Sequence, residues 1–112
     1  MSPRRLVAAL GLLAAGLAQA TLAASSSAVH LACEPVYLPA RSVWARTVDI
    51  AYDQKKVRSV LIDGVPVYTF SVRGTTILTA LDNERIQIDV AALSWRSDFR
   101  GVASSEGRCE RG

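Results

Sequence analysis

Residues 57–99 carry the pattern that most limits how this chain can fold: short runs of alternating apolar and polar side chains, cut at nearly regular intervals by turn residues. The cuts fall at Asp63-Gly64, Arg73-Gly74, Asp82-Asn83-Glu84 and Ala91-Ala92. Alternation of this kind is typical of strands buried on one face, and closely spaced turns join such strands into antiparallel hairpins. We therefore predict an all-β fold, an antiparallel meander of about six strands that forms a small barrel or sandwich.

The turns can be tested against each other, because a slip of one residue moves every side chain of a strand to the other face. With tight loops, the predicted cross-strand pairs keep apolar residues together: Val57–Phe70, Leu61–Pro66, Phe70–Ile77, Leu81–Ile86, Ile77–Val90 and Ile88–Trp95. The preceding strand, 42–53, adds the pairs Tyr52–Val57 and Val48–Leu61. The opposite face is mostly polar and supports the same register, with the pairs Arg85–Asp98 and Gln87–Arg96.

One part of that outer face is apolar instead. The predicted register places Val60, Ile62, Val65 and Val67 there, with Leu78 on the next strand. Either the N-terminal segment 28–40 covers these side chains, or they form an exposed binding surface, since soluble proteins rarely leave such a patch bare. Outward arginines extend it, so the candidate interaction surface comprises Val60, Ile62, Val65, Val67, Leu78, Arg96 and Arg100.

The first residues have the features of a secretory signal peptide. Arg4 and Arg5 form a positive n-region, an apolar run follows, and Ala18-Gln19-Ala20 fits a small-x-small cleavage site. An uncleaved anchor is the alternative, because low polarity continues to Ala24. The prediction is a helical signal peptide over 1–20, cleaved after Ala20 or a few residues later, a flexible mature N-terminus over 21–27 and a single small β domain over 28–112.

The charge of the mature chain gives little support to a nucleic-acid partner. The net charge of +3 falls to +1 once Arg4 and Arg5 are removed, and the longest remaining basic run is Lys55-Lys56. Nucleic-acid binding needs a clustered basic face. We expect a periplasmic or secreted protein without a membrane span in its mature form, with an envelope protein as its partner and an oligomeric state that the sequence leaves open.

Two cysteines, Cys33 and Cys109, lie near the ends of the predicted domain. In an exported chain an even, small cysteine count predicts a disulfide, which here joins the domain's ends. Closing so long a loop stabilises the fold by up to about 4 kcal/mol in the chain-entropy model. Lipidation of Cys33 is the alternative, but His30-Leu31-Ala32 lacks the lipobox pattern, and Cys109 would remain as an odd thiol.

No constellation of residues predicts catalysis. His30 is the only imidazole and stands beside a structural cysteine. Asp82 and Glu84 fall in a predicted turn, where a solvated role is expected, and Asp89 falls on the polar sheet face. Accordingly we predict no enzyme and assign no catalytic, cofactor-binding or metal-binding residue.

Residues 95–103, Trp-Arg-Ser-Asp-Phe-Arg-Gly-Val-Ala, slightly resemble the late segment of the bacterial inhibitors of C-type lysozyme, which are small exported β-barrels with a disulfide. The resemblance covers one strand, and the Ser-Gly-x-x-Tyr motif of that family is absent, so it assigns no inhibitory residue. The sequence favours a non-catalytic envelope binding or interaction module. An inhibitor of a secreted hydrolase such as lysozyme is the alternative, followed by a small hydrolase.

Overall fold

The structure, a computed structural model, describes residues 26–112, and over this range the chain is all β without a helix. The predicted signal peptide over 1–20 and residues 21–25 lie outside the described residues. Eleven strands follow in chain order: β1 (Ser26–Cys33), β2 (Val36–Leu38), β3 (Ser42–Val43), β4 (Arg46–Asp53), β5 (Lys56–Ile62), β6 (Val65–Pro66), β7 (Phe70–Arg73), β8 (Thr76–Leu81), β9 (Glu84–Asp89), β10 (Ser94–Phe99) and β11 (Ala103–Arg111). The all-β class is confirmed, but the predicted number of about six strands is wrong. Strands β1, β2 and β11 lie outside the predicted meander, and bends divide 42–53 into β3 and β4 and 65–73 into β6 and β7.

All the strands belong to one antiparallel sheet that curls into a half-barrel. Their order is β6-β5-β4-β1-β11-β10-β9-β8-β7, with β2 beside β11 and β3 beside β2. From β7 to β11 each strand lies next to its successor in sequence, as in a meander. Then β1 lies between β11 and β4, so the middle of the sheet joins strands from opposite ends of the described chain.

The disulfide sits at this central junction. Cys33 of β1 lies directly opposite Cys109 of β11, and the two form a buried bridge between residues separated by 76 positions. The predicted disulfide is therefore confirmed. It covalently ties together the two strands whose pairing closes the largest loop of the fold.

Strand β2 continues the line of β1 along β11 after an interruption at Glu34-Pro35. Tyr37 pairs with Ser105 in the same register that pairs the cysteines. Opposite the interruption stands Gly107, and a Cβ atom there would lie 2.4 Å from the Cα atom of the buried Pro35. Glycine is required because the backbone of the neighbouring strand occupies the space of a side chain.

Three two-residue turns share a left-handed backbone at both central positions, which is the geometry of type I′ hairpins. They are Gln54-Lys55 (φ 50° and 71°), Asp63-Gly64 (53° and 81°) and Asp82-Asn83 (51° and 67°). Two of them use the Asp, Asn and Gly residues that this geometry favours. The Gln54-Lys55 turn does not.

A β-bulge overturns the predicted pairing of β4 with β5. Tyr52 lies opposite Val57 as predicted, but Ala51 lies opposite Ser59, so Arg58 is an extra residue. Beyond the bulge Val48 faces Ile62 instead of the predicted Leu61. Because one inserted residue inverts the faces of a strand, Val60 and Ile62 point into the core.

The segment 65–73 divides between the two edges of the sheet. Its first part, β6, pairs with β5 through Ile62–Val65 and Leu61–Pro66, and the Val67 amide extends this ladder to the Val60 carbonyl at 3.0 Å. Its second part, β7, pairs with β8 instead. The predicted pair Val57–Phe70 does not form, because the chain crosses from one edge to the other at Tyr68 and Thr69. The crossing leaves a gap at each end of the half-barrel.

The remaining register predictions differ in accuracy but keep the correct faces. The pairs Ile88–Trp95, Arg85–Asp98 and Gln87–Arg96 are confirmed. Three pairs are wrong by two residues, because the loops consist of Gly74-Thr75 and Asp82-Asn83: the structure replaces Phe70–Ile77, Leu81–Ile86 and Ile77–Val90 by Val72–Ile77, Thr79–Ile86 and Ile77–Ile88. A shift of two residues preserves the side-chain face, so the predicted core residues remain inside.

Aliphatic residues from most of the longer strands fill the half-barrel around one large aromatic side chain, Trp95. The core comprises Leu31, Cys33, Val48, Ile50, Val60, Ile62, Val67, Ile77, Ile86, Ile88, Trp95 and Cys109. One interpretation of the sequence was that the N-terminal segment 28–40 covers a sheet face, and this is wrong. The N-terminal segment supplies β1, whose Leu31 side chain belongs to this core.

Candidate binding surface at the β2–β3 hairpin

Exposed apolar side chains concentrate on the β2–β3 hairpin. Eight large hydrophobic residues of the described chain are exposed, and four of them lie within residues 36–44: Val36, Leu38, Val43 and Trp44, each between 41% and 60% exposed. Val36 and Val43 are cross-strand partners. Such clustering on a small surface is typical of an interaction site.

A groove of about 600 Å³ runs from this hairpin across the outer face of the neighbouring strands. Strand pairing builds it from two rows of adjacent side chains. The first row is Val36, Glu106, Arg96 and Gln87, and the second is Leu38, Ser104, Asp98 and Arg85. The groove thus has an apolar wall at the hairpin and a charged floor along β9–β11.

The charged floor carries both signs in close proximity. The guanidinium of Arg96 donates from Nε and Nη2 to one carboxylate oxygen of Glu106, at 3.0 and 2.6 Å. Arg85 stands opposite Asp98 on the adjacent strand. These four side chains sum to no net charge, so the groove suits a partner with mixed charges better than a polyanion.

Beneath the hairpin lies a buried hydrogen-bond network that ends on Glu84. The Trp95 indole N–H donates to the Ser105 hydroxyl at 2.9 Å, and the Ser105 and Ser97 hydroxyls are 2.5 Å apart. Ser97 in turn donates to Oε2 of Glu84 at 2.6 Å. The Tyr37 hydroxyl donates to the same oxygen at 2.6 Å. Strands β2, β9, β10 and β11 are thereby joined through polar atoms.

Arg46 supplies the charge that balances this carboxylate. Its Nη1 donates to Oε1 of Glu84 at 2.9 Å and also to the Tyr37 hydroxyl, while its Nε donates to Asp63 at 2.7 Å. No buried side-chain polar atom of the described residues lacks a hydrogen-bond partner. Fully satisfied networks of this kind fix one arrangement of the strands, because each alternative leaves a buried polar group unpaired.

The surroundings of these groups shift two pKa values. Burial, followed by the hydrogen bond to Glu84, raises the pKa of Tyr37, so the hydroxyl keeps the proton that it donates. For Arg46 burial opposes the charged form, but the hydrogen bonds to Glu84 and Asp63 outweigh it and raise its pKa. Both groups therefore hold the protonation states that the network requires.

Aromatic rings contact the guanidinium group of Arg46 from two sides. Its guanidinium carbon lies 4.9 Å from the ring centre of buried Trp95 and 5.9 Å from that of exposed Trp44. Trp44 also packs edge-on against Tyr37, with ring centres 5.1 Å apart. Through these contacts the buried network positions an exposed indole at the rim of a cavity of about 540 Å³, which lies in the gap between β6 and the β8–β9 turn.

The structure separates the residues of the predicted interaction surface. Val60, Ile62 and Val67 are core residues, which corrects the prediction that they lie on the outer face; the bulge in β5 is the reason for the first two. Val67 is buried for the same reason, because its amide pairs with the Val60 carbonyl and cross-strand neighbours share a face. Val65 is exposed, Arg96 lines the outer groove, and half-buried Leu78 lies beside the groove, opposite Gln87. Arg100 lies in the β10–β11 turn, where it donates to Asn83 at 3.3 Å.

Glu84 is the functional candidate that the sequence placed wrongly. It is the first residue of β9 and only 3% exposed, instead of a solvated turn residue. Asp82 is exposed in the adjoining turn, and Asp89 is the last residue of β9, paired with Thr76 and Ser94. His30 contacts Asp49, with Nδ1 and Oδ1 2.5 Å apart, far along the chain from these carboxylates. The hairpin residues were overlooked because their short runs lack a clear alternation.

Within residues 26–112 no group of three or more His, Cys, Asp or Glu side chains could hold a metal ion. The same part of the chain contains no helix with the length and apolar character to cross a membrane. Comparisons with family models, curated proteins and solved structures find no match to this chain.

Proposed function

We propose that this protein is a non-catalytic binding module of the bacterial envelope, and that the β2–β3 hairpin with its outer groove contacts a partner protein. The concentration of exposed Val36, Leu38, Val43 and Trp44 in one hairpin is the observation that carries the proposal. Aromatic and aliphatic anchors beside a polar rim are the usual composition of protein interfaces.

The buried network beneath the hairpin supports this function. Preorganised surfaces bind with a smaller entropic cost than mobile ones. Tyr37 and Arg46 fix the position of Trp44 from inside the protein. The indole can then serve as an anchor without first being ordered by the partner.

Site-specific photocrosslinking in the exporting cell tests this function. A benzoylphenylalanine residue replaces Leu38 in one variant and Tyr68 in a control, since Tyr68 is fully exposed but lies at the far edge of the sheet. The expected result is a defined adduct with another protein from position 38 and none from position 68. Adding Val43→Asp to the first variant should abolish the adduct.

Three outcomes would count against this proposal. They are equal adducts from both positions, no adduct from position 38, and an adduct with twice the mass of the chain. The last result would assign the hairpin to self-association.

A hydrolase inhibitor is the more specific form of the same function. The exposed Trp44 at a cavity rim favours it, because tryptophan is enriched among the residues that dominate tight interfaces. Purified protein in excess over lysozyme should reduce its activity, and Trp44→Ala should restore that activity. Unchanged lysozyme activity at excess protein removes this form while leaving the binding module in place.

Export is part of the proposal as well. The buried Cys33–Cys109 bridge is consistent with an oxidising compartment such as the periplasm or the exterior. Sequencing the N-terminus of the protein recovered from the periplasm should find a chain that begins near residue 21. Recovery of the uncleaved chain from the membrane fraction would instead support the anchor.

A further inference from the structure

A second cavity opens in the other gap of the half-barrel, where β5 and β7 are not hydrogen-bonded to each other. It has a volume of about 420 Å³, within the range of small-molecule sites. Its wall is mostly apolar and reaches the core at Ile77, and the lining consists of Tyr52, Lys55, Lys56, Val57, Val72, Gly74, Thr75, Ile77 and Val90. We call it the seam cavity.

The charge at the seam cavity is positive. Lys55 and Lys56 are its only charged lining residues, and neither forms an ion pair within the described chain. The nearest carboxylates of the adjoining turns are already engaged. Nη1 of Arg58 lies 3.4 Å from Oδ2 of Asp53. The carboxylate of Asp89 accepts hydrogen bonds from the Thr75 hydroxyl and from two backbone amides.

The backbone at the cavity mouth adds an independent observation. Lys55 adopts a left-handed φ of 71° and Gln54 one of 50°, although both carry long side chains. The other two-residue loops of this geometry use Asp-Gly and Asp-Asn, while Arg41, Leu93 and Arg100 adopt a left-handed φ in other turns. A left-handed conformation is unfavourable for residues with long side chains. A lysine is therefore held at the cavity mouth where glycine or asparagine would fit the backbone better.

We propose that the seam cavity binds an amphipathic anion with a single acyl chain. The apolar wall accepts the chain between β5 and β7, and the ammonium groups of Lys55 and Lys56 pair with the anionic headgroup. This site is distinct from the hairpin surface, so the inference stands or falls separately from the proposed function.

Titration of the disulfide-bonded protein, expressed with its natural N-terminus, tests the site directly. The probes are dodecanoate, dodecyl phosphate and uncharged dodecanol, each kept below its aggregation concentration, and the readout is the backbone amide NMR spectrum. Dodecanoate should shift the resonances of residues 52–57 and 72–77, and dodecanol should bind about tenfold more weakly because it lacks the charge. The two anions together show whether the site prefers a carboxylate or a phosphate headgroup.

Two variants test whether dodecanoate binds in the seam cavity. Val72→Asp places a carboxylate in the cavity at a position that is 47% exposed, so the fold should tolerate it. It should weaken dodecanoate binding about tenfold. Val102→Asp introduces the same charge at an exposed position outside the cavity and should leave binding unchanged.

Lys55→Gly gives the sharpest test, because its two effects have opposite signs. It should raise the thermal midpoint by relieving the left-handed backbone, and weaken dodecanoate binding by removing one cation. The proposal is wrong if dodecanoate shifts no seam resonance, if dodecanol binds equally well, or if Lys55→Gly and Val72→Asp bind dodecanoate as the wild type does. Shifts confined to residues 36–44 would assign acyl chains to the hairpin instead.

Discussion

The carboxylate of Glu84 accepts all three of its side-chain hydrogen bonds. Oε2 receives hydrogen bonds from Tyr37 and Ser97, and Oε1 receives one from Arg46. An amide in the same place could keep its oxygen toward Arg46 only if both hydroxyls reversed to accept from its NH₂ group. The negative charge is needed as well, because Arg46 is buried against it.

Glu84→Gln should therefore destabilise the protein despite its nearly identical shape. We expect a loss of about 3 kcal/mol in the free energy of unfolding, since Arg46 loses its buried counter-charge and keeps only the half-exposed carboxylate of Asp63. Urea unfolding with the disulfide intact measures it. Glu106→Gln removes an exposed ion pair with Arg96 and should cost less than about 1 kcal/mol. Equal losses in the two variants would contradict the central role of Glu84.

Asp89 makes the β9–β10 hairpin sensitive to acid. The backbone hydrogen bond from Ala92, followed by the Thr75 hydroxyl, lowers its pKa below the ordinary value of 3.8. Because the pKa is lower in the folded state than in the unfolded state, the carboxylate stabilises the fold above pH 3.8, and this contribution disappears as the pH falls through the folded pKa.

The thermal midpoint should accordingly decline less steeply below pH 3.8 in Asp89→Asn than in the wild type. Asp82→Asn serves as the control, since Asp82 occupies an exposed turn without these hydrogen bonds, and it should retain the wild-type slope. A scan of thermal unfolding against pH compares the three proteins. Parallel curves for Asp89→Asn and the wild type would show that Asp89 contributes nothing to acid sensitivity.

At the scale of the element, alternation predicts which strands pair but not where a strand changes phase. The pairs Arg85–Asp98 and Ile88–Trp95 follow from the sequence because β9 and β10 alternate without interruption. In β5 the core-facing residues are 57, 60 and 62, and the three-residue step marks the bulge, but Leu61 is apolar too and hides this step in the sequence. The three-residue spacing can be recognised once the structure is known. From the sequence alone, the same spacing also fits a regular strand with some polar residues on its buried face.

Within strand β11, Gly107 is the position at which a side chain is least tolerated. A methyl group there would overlap the backbone of Pro35, which cannot move without breaking the line of β1 and β2 along β11. Gly107→Ala should cost about 2 kcal/mol, within the range for overpacked sites. Ser104→Thr adds a methyl group to the exposed face of the same strand and should change stability by less than about 0.5 kcal/mol. Chemical unfolding of both variants measures these changes in the free energy of unfolding. An unchanged free energy of unfolding in Gly107→Ala would show that the strands can separate.

At the scale of the molecule, the sequence could predict an all-β domain with bridged ends, but not its cavities. Both cavities arise where segment 65–73 crosses between edges of the sheet, and that crossing depends on contacts between distant strands. The resulting ends differ in charge. One cavity is lined by Asp63, Asp82 and Glu84 with a single arginine, and the other by Lys55 and Lys56.

The position of the disulfide has a kinetic consequence. Apart from the β2–β3 hairpin, the strands read in spatial order as a meander that starts at β7, passes through β11 to β1 and ends at β6. The chain is thus a circular permutation of a simple meander, and the bridge stands where a hairpin loop would connect β11 to β1. Without that loop, the central pairing is the slowest contact to form, since distant residues must meet.

With the disulfide reduced, a permuted chain that joins residue 112 to residue 26 through a short linker and opens between Tyr68 and Thr69 should refold faster than the natural one. Its disulfide would close a much shorter loop, so reduction should cost it about 1 kcal/mol less than it costs the natural chain. Stopped-flow refolding and unfolding of both proteins, oxidised and reduced, measure the two effects. Equal refolding rates would mean that β1 and β11 meet early. In the natural chain, the Cys33–Cys109 bond joins β11 to β1, as a hairpin turn joins other adjacent strands.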